Sequence, residues 1–121
     1  MATATKVDYA QRLTHLYRAH PDPELVDVPP MRFLMVDGEG LPDGAAGFRD
    51  VVRALYTVAY DVAFRVREHG GVDLAVMPLE GLWWIPHAHV WDFGGLRAGW
   101  AWTLMVMQPD EVSDDLARTA I

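Results

Sequence analysis

The stretch Pro78-Leu79-Glu80-Gly81-Leu82-Trp83-Trp84 places one carboxylate a few residues from paired tryptophans. Indole faces attract cations and stack on flat aromatic molecules. A carboxylate beside them adds a counter-charge, or a general acid or base where water is partly excluded. Glu80 is therefore the candidate catalytic residue, with Trp83 and Trp84 as candidate ligand contacts. The plain alternative is a solvated turn residue at a strand end, since pocket carboxylates are a minority of all acids.

A second group lies on a predicted helix over Ala45 to Glu68. Phe48, Val51, Val52, Leu55, Val58, Ala59, Val62 and Val66 form one apolar stripe, as a helix packed on a sheet requires. Tyr56, Tyr60 and Phe64 fall on a different stripe, on the side that also carries Arg49, Arg53 and Arg67. Asp50, Asp61 and Glu68 take the other flank. A lone β-α-β-β layer has nothing to cover Tyr60 and Phe64. The stripe is thus expected to be a partner surface or a ligand groove. The alternative is that the long loop over 85–98 folds onto it.

Other constellations carry less. His87-Ala88-His89 presents two imidazoles at a spacing some metal sites use, with Asp92 the nearest third ligand. Two loop histidines without a further ligand motif are usually plain polar residues, so neither a metal nor a cofactor is expected. Asp37-Gly38-Glu39-Gly40 is no phosphate loop, because its two acids would repel phosphate. The chain holds no Walker loop and no Ser–His–Asp arrangement.

The elements that must position these residues follow from the pattern. Val7 to Tyr17 reads as a short amphipathic helix, stopped by His20-Pro21-Asp22-Pro23. Leu25 to Val28 reads as extended, an extra short strand before Pro29-Pro30. Met31 to Val36 is a buried strand, and Asp37 to Gly40 a turn. His69-Gly70-Gly71 closes the long helix. Val72 to Leu79 reads as the second core strand, with Pro78 near its end, and Gly99 to Gln108 as the third. Ser113 is the expected N-cap of a last helix, with acids in its first turn. The fold class is α+β: one β-α-β-β module, an antiparallel sheet with a long helix on one face. Residues 1–23 form an N-terminal helical arm, 24–109 the core, and 110–121 the start of a C-terminal helix.

At 121 residues the chain suits one domain. Its net charge of −7 leaves no basic face to displace counterions from nucleic acid, and suits neutral or cationic ligands instead. Without cysteine there is neither a disulfide framework nor a zinc–thiolate site. No apolar run approaches membrane-spanning length, and the polar Met1–Asp8 segment lacks a signal-peptide core. A cytoplasmic protein that binds neither nucleic acid nor membrane is expected.

Four blocks in order carry a resemblance. They are Asp27-Val28-Pro29-Pro30-Met31 running into Met35-Val36-Asp37-Gly38-Glu39-Gly40, then Ala54-Leu55-Tyr56 with Ala59-Tyr60, then Pro78 to Trp84, and Trp102-Thr103-Leu104-Met105-Val106-Met107-Gln108-Pro109. From about Lys6 onward the chain resembles the N-terminal half of GyrI-like small-molecule-binding proteins. The stand-alone subgroup that includes cyclopropanoid cyclopropyl hydrolases is the nearest in pattern. The resemblance implies two β-α-β-β modules in one curved sheet, both helices on one face and the ligand between them. Tyr56, Tyr60, Trp83, Trp84 and Trp102 would then supply an aromatic cage, flanked by Phe64, with Glu80 in the subgroup's acidic motif. It also implies a second module, absent here, so a homodimer or a missing half is expected to complete the groove. Three functions are open: binding of hydrophobic planar or cationic molecules, hydrolytic opening of the cyclopropane of DNA-alkylating compounds as self-protection against toxins, and effector sensing within a transcription regulator.

Overall fold

Helix α3, Ala46–Gly70, organises the chain. Leu55, Ala59, Val62 and Val66 are buried along it, and Phe48, Val51, Val52 and Val58 pack beside them. This is the inner stripe expected from the helical period. Gly71 ends the helix with φ +66°, and its amide N–H donates to the Arg67 carbonyl at 3.0 Å. Only glycine takes that left-handed closure at little cost. The structure, a computed structural model, describes residues 4–40, 46–85 and 100–121.

One face of α3 lies on a three-stranded antiparallel sheet. Strands β2 (Arg32–Glu39), β4 (Leu79–Trp84) and β5 (Ala101–Gln108) run in the order β2-β5-β4. Central β5 is buried at nearly every position, which is why its sequence is an almost unbroken apolar run. The predicted α+β architecture, an antiparallel sheet with a long helix on one face, is the one observed.

Four expected elements come out differently. The first is the turn over Asp37 to Gly40: β2 runs on through Asp37, Gly38 and Glu39, which pair with β5, so the expected strand does not end at Val36. The strand expected over Val72–Leu79 is two elements in two sheets. Strand β3 (Val72–Leu74) pairs in parallel with β1 (Thr5–Val7), whereas β4 begins only at Leu79. Between them the chain changes sheets, anchored by fully buried Met77. Pro78 has no amide hydrogen for a ladder and so fits this crossover. Glu80 consequently sits inside a strand, opposite Met105, and not in a turn at a strand end.

The helix expected over Val7–Tyr17 is likewise divided. After β1 come α1 (Tyr9–Arg12) and α2 (Thr14–Tyr17), separated by Leu13 in a non-helical conformation. Asp8 caps α1 by accepting from the Ala10 amide N–H at 3.0 Å. Leu25–Val28 lies outside every strand, so the extra short strand is β1 and not a segment before Pro29.

Helix α4 (Asp114–Ala120) closes the chain, with Ser113 accepting from the Leu116 amide N–H as expected of an N-cap. The Arg32 guanidinium fastens the preceding turn, donating to the Val112 carbonyl and to Asp114 at 2.7 Å. Val112, Leu116 and Ala117 join Val7, Val62, Val66 and Leu74 in a second core under the far end of α3. Among the described residues no helix is long and apolar enough to cross a membrane.

Candidate functional site

Alternation along β4 sends neighbouring side chains to opposite faces of the sheet. Trp83 points toward α3. Its ring centroid lies 5.9 Å from that of Phe48 and 6.2 Å from that of Trp102, and Phe48 meets Trp102 edge-on at 5.3 Å. The Trp102 indole N–H donates to the Gly40 carbonyl at 3.2 Å. Gly38, opposite Trp102 in the ladder, provides the room: a Cβ there would run into the indole ring. Trp102 is 2% exposed and belongs to the core.

Glu80, Leu82 and Trp84 take the other face. Trp84 is 40% exposed and Leu82 more so. Met105 and Thr103 follow on β5, then Met35 and Asp37 on β2, in register. Met35 is exposed, while Thr103 donates its hydroxyl to Asp37 Oδ1 at 2.6 Å. This face thus combines apolar area with carboxylates.

The half-buried Glu80 carboxylate has a partner from the N-terminal arm. The Tyr17 hydroxyl donates to Glu80 Oε2 at 2.8 Å. Burial first, then the hydrogen bond and charge of Glu80, raise the Tyr17 phenol well above the ordinary tyrosine range. Tyr17 therefore stays protonated and remains a donor. The arm is tied down a second time where the Tyr9 hydroxyl donates to Glu111 Oε1 at 2.6 Å. There too, burial and Glu111 raise the phenol.

The helix aromatics stand elsewhere. Tyr60 is 63% and Phe64 60% exposed, and the Tyr56 and Tyr60 rings lie 6.3 Å apart. They belong to α3, across the sheet from Glu80. The expected ligand residues are therefore in three places: Tyr56, Tyr60 and Phe64 on the helix, Trp83 and Trp102 between helix and sheet, and Trp84 on the sheet face opposite α3. Only Trp84 shares a face with Glu80. Sequence reasoning missed Tyr17, because no local spacing links it to a residue 63 positions away.

His87, His89, Asp92 and most of the loop over 85–98 lie outside the described residues. Among those described, no three His, Cys, Asp or Glu side chains come together as a metal site would require. A cleft of about 330 Å³ runs along β1 and β3, lined by Lys6, Asp8, Gln11 and Asp73, and holds neither Glu80 nor a tryptophan.

The fold and site define a class: an α+β half-module whose sheet is backed by one long helix and carries a held carboxylate on its other face. Solved structures share its fold. The chain is similar to an uncharacterized conserved protein from Listeria innocua, at 36% identity and a TM-score of 0.82 over 94% of this chain and 56% of that one. It is also similar to two structures of hydrolases from Listeria innocua. One is 34% identical with a TM-score of 0.76, over 94% of this chain and 56% of that one. The other is 35% identical with a TM-score of 0.78, over 96% and 57%. The chain spans little more than half the length of each, as a half-module would. No family model and no curated protein matches it.

Proposed function

We propose that this chain is a small-molecule-binding GyrI-like module that holds hydrophobic planar or cationic ligands on the sheet face opposite α3. The observation that carries the reading is the half-buried Glu80 carboxylate, held by Tyr17 beside exposed Leu82 and Trp84. A carboxylate with part of its water removed attracts a cation more strongly than a solvated one. An exposed indole supplies the stacking surface. The net charge of −7 raises the local concentration of cations in the same direction. The four sequence blocks, together with the match to half of longer chains, support the family placement. A second copy of this chain, or a second module, would dock on the Tyr56–Tyr60–Phe64 stripe of α3, on the side of the sheet away from Glu80.

Ethidium, a planar cation, and phenanthridine, its uncharged ring system, test the reading. Glu80→Gln should weaken ethidium about tenfold, or about 1.4 kcal/mol, and leave phenanthridine unchanged. Equal affinity of both proteins for ethidium would reject Glu80 as the counter-ion.

A second reading, hydrolysis, is favoured by the two Listeria innocua neighbours called hydrolases. Water would add across a strained cyclopropane bond, its hydroxyl going to one carbon and a proton to the other. Glu80 would orient that water or take its proton. Chromatography of a cyclopropane-containing alkylator incubated with the protein tests this, and Glu80→Gln should slow turnover by about a hundredfold. No consumption of the alkylator beyond the protein-free rate would dismiss the hydrolytic reading.

A further inference from the structure

We infer that Tyr17 is a positioning residue for Glu80, which makes the N-terminal arm part of the ligand site. The inference rests on the reading of Glu80 as a ligand counter-ion. A glutamate side chain has three rotatable bonds, and fixing it when a ligand arrives costs binding free energy. Here the Tyr17 hydroxyl already engages Oε2 at 2.8 Å, leaving Oε1 as the remaining acceptor for a cation. The phenol suits this task because it gives one hydrogen bond without adding a charge. An arginine or lysine in its place would neutralise the carboxylate and compete with a cationic ligand.

The arm is held in place independently of this contact. The Tyr9 hydroxyl anchors it to Glu111 at 2.6 Å, Asp8 caps α1, and β1 joins the parallel pair with β3. Tyr9, Leu13 and Tyr17 also pack against the main core. Loss of the Tyr17 hydroxyl alone therefore leaves the arm attached. Its effect should pass through the orientation of Glu80.

The test uses the full chain with ethidium and phenanthridine as probes. Tyr17→Phe keeps the ring and deletes the donor. It should weaken ethidium about threefold to tenfold, the cost of ordering one freed side chain, and leave phenanthridine unchanged. Tyr9→Phe removes the same kind of bond away from Glu80 and should leave both affinities unchanged. In a Glu80→Gln background, Tyr17→Phe should add nothing further to the loss. Unchanged or tighter ethidium binding by Tyr17→Phe overturns the inference, as does an equal loss for both probes. If Glu80→Gln weakens ethidium while Tyr17→Phe does not, only the positioning role falls. If Glu80→Gln itself has no effect, the counter-ion reading and the positioning role fall together.

Discussion

Tyrosine 17 is tied to Glu80 by a bond that also links stability to pH. Its phenol is raised in the folded chain, so the folded state holds the proton more tightly than the unfolded state. The resulting stabilisation is fully present below the unfolded tyrosine value of about 10, and is lost as pH rises through the higher folded value. The stability difference between the protein and Tyr17→Phe should therefore be constant through neutral pH and shrink in strong alkali. Denaturant titrations at stepped pH measure it, and a difference that grows in alkali would contradict the assignment. Ultraviolet absorbance should show part of the tyrosine ionisation delayed, and Tyr17→Phe should remove some of that part. Gly38 gives a second prediction at this scale. Gly38→Ala would push a Cβ into the Trp102 indole and should destabilise the fold by about 1–3 kcal/mol. A variant as stable as the parent would mean that the indole moves aside freely.

Strand β4 separates two tryptophans that adjoin in sequence. Trp83 packs with Phe48 and Trp102 under α3, whereas Trp84 stands exposed on the opposite face. Trp83→Ala should cost about 3–5 kcal/mol of stability, as large-to-small core changes do. Trp84→Ala should leave stability within about 0.5 kcal/mol, as an exposed site does, and weaken planar ligands by about 1 kcal/mol. Thermal melts and fluorescence titration of both variants decide this. Equal stability losses would mean that the two indoles share one environment. On α3, Leu55 lies at the centre of the buried stripe, and Leu55→Ala should cost about 2–5 kcal/mol by the same measurement.

The molecule as a whole carries apolar surface on two sides. Tyr60 and Phe64 are exposed on α3, and Met35, Leu82 and Trp84 on the sheet. Large exposed apolar areas mark interaction sites. Strands β2 and β4 are the edges of the three-stranded sheet, and such edges readily accept further strands. Self-association in solution is the expected result. Sedimentation at micromolar concentration measures it, and Tyr60→Ser with Phe64→Ser should shift the protein toward monomer without changing its melt. A parent protein that sediments only as monomer would oppose a homodimer.

Local order was enough to specify α3, β5, the first part of β2 and the Ser113 cap. Each depends on a period or a cap that acts over a few neighbouring residues. It did not specify the run of β2 through Asp37, Gly38 and Glu39, which pairing with β5 decided. The helical period also placed Tyr60 and Phe64 outside the core, where the structure has them. Non-local pairing decided the rest. Whether Val72–Leu79 forms one strand or two depends on β1, more than sixty residues earlier, capturing its first half. Once Leu79 opened a new strand, alternation fixed which face received Glu80 and which received Trp83. The bond from Tyr17 to Glu80 spans 63 positions and leaves no trace in local spacing. Sequence alone therefore singled out Glu80 and the aromatic residues as candidates, while tertiary structure chose their neighbours, because facing directions and long-range partners arise only when strands take their register.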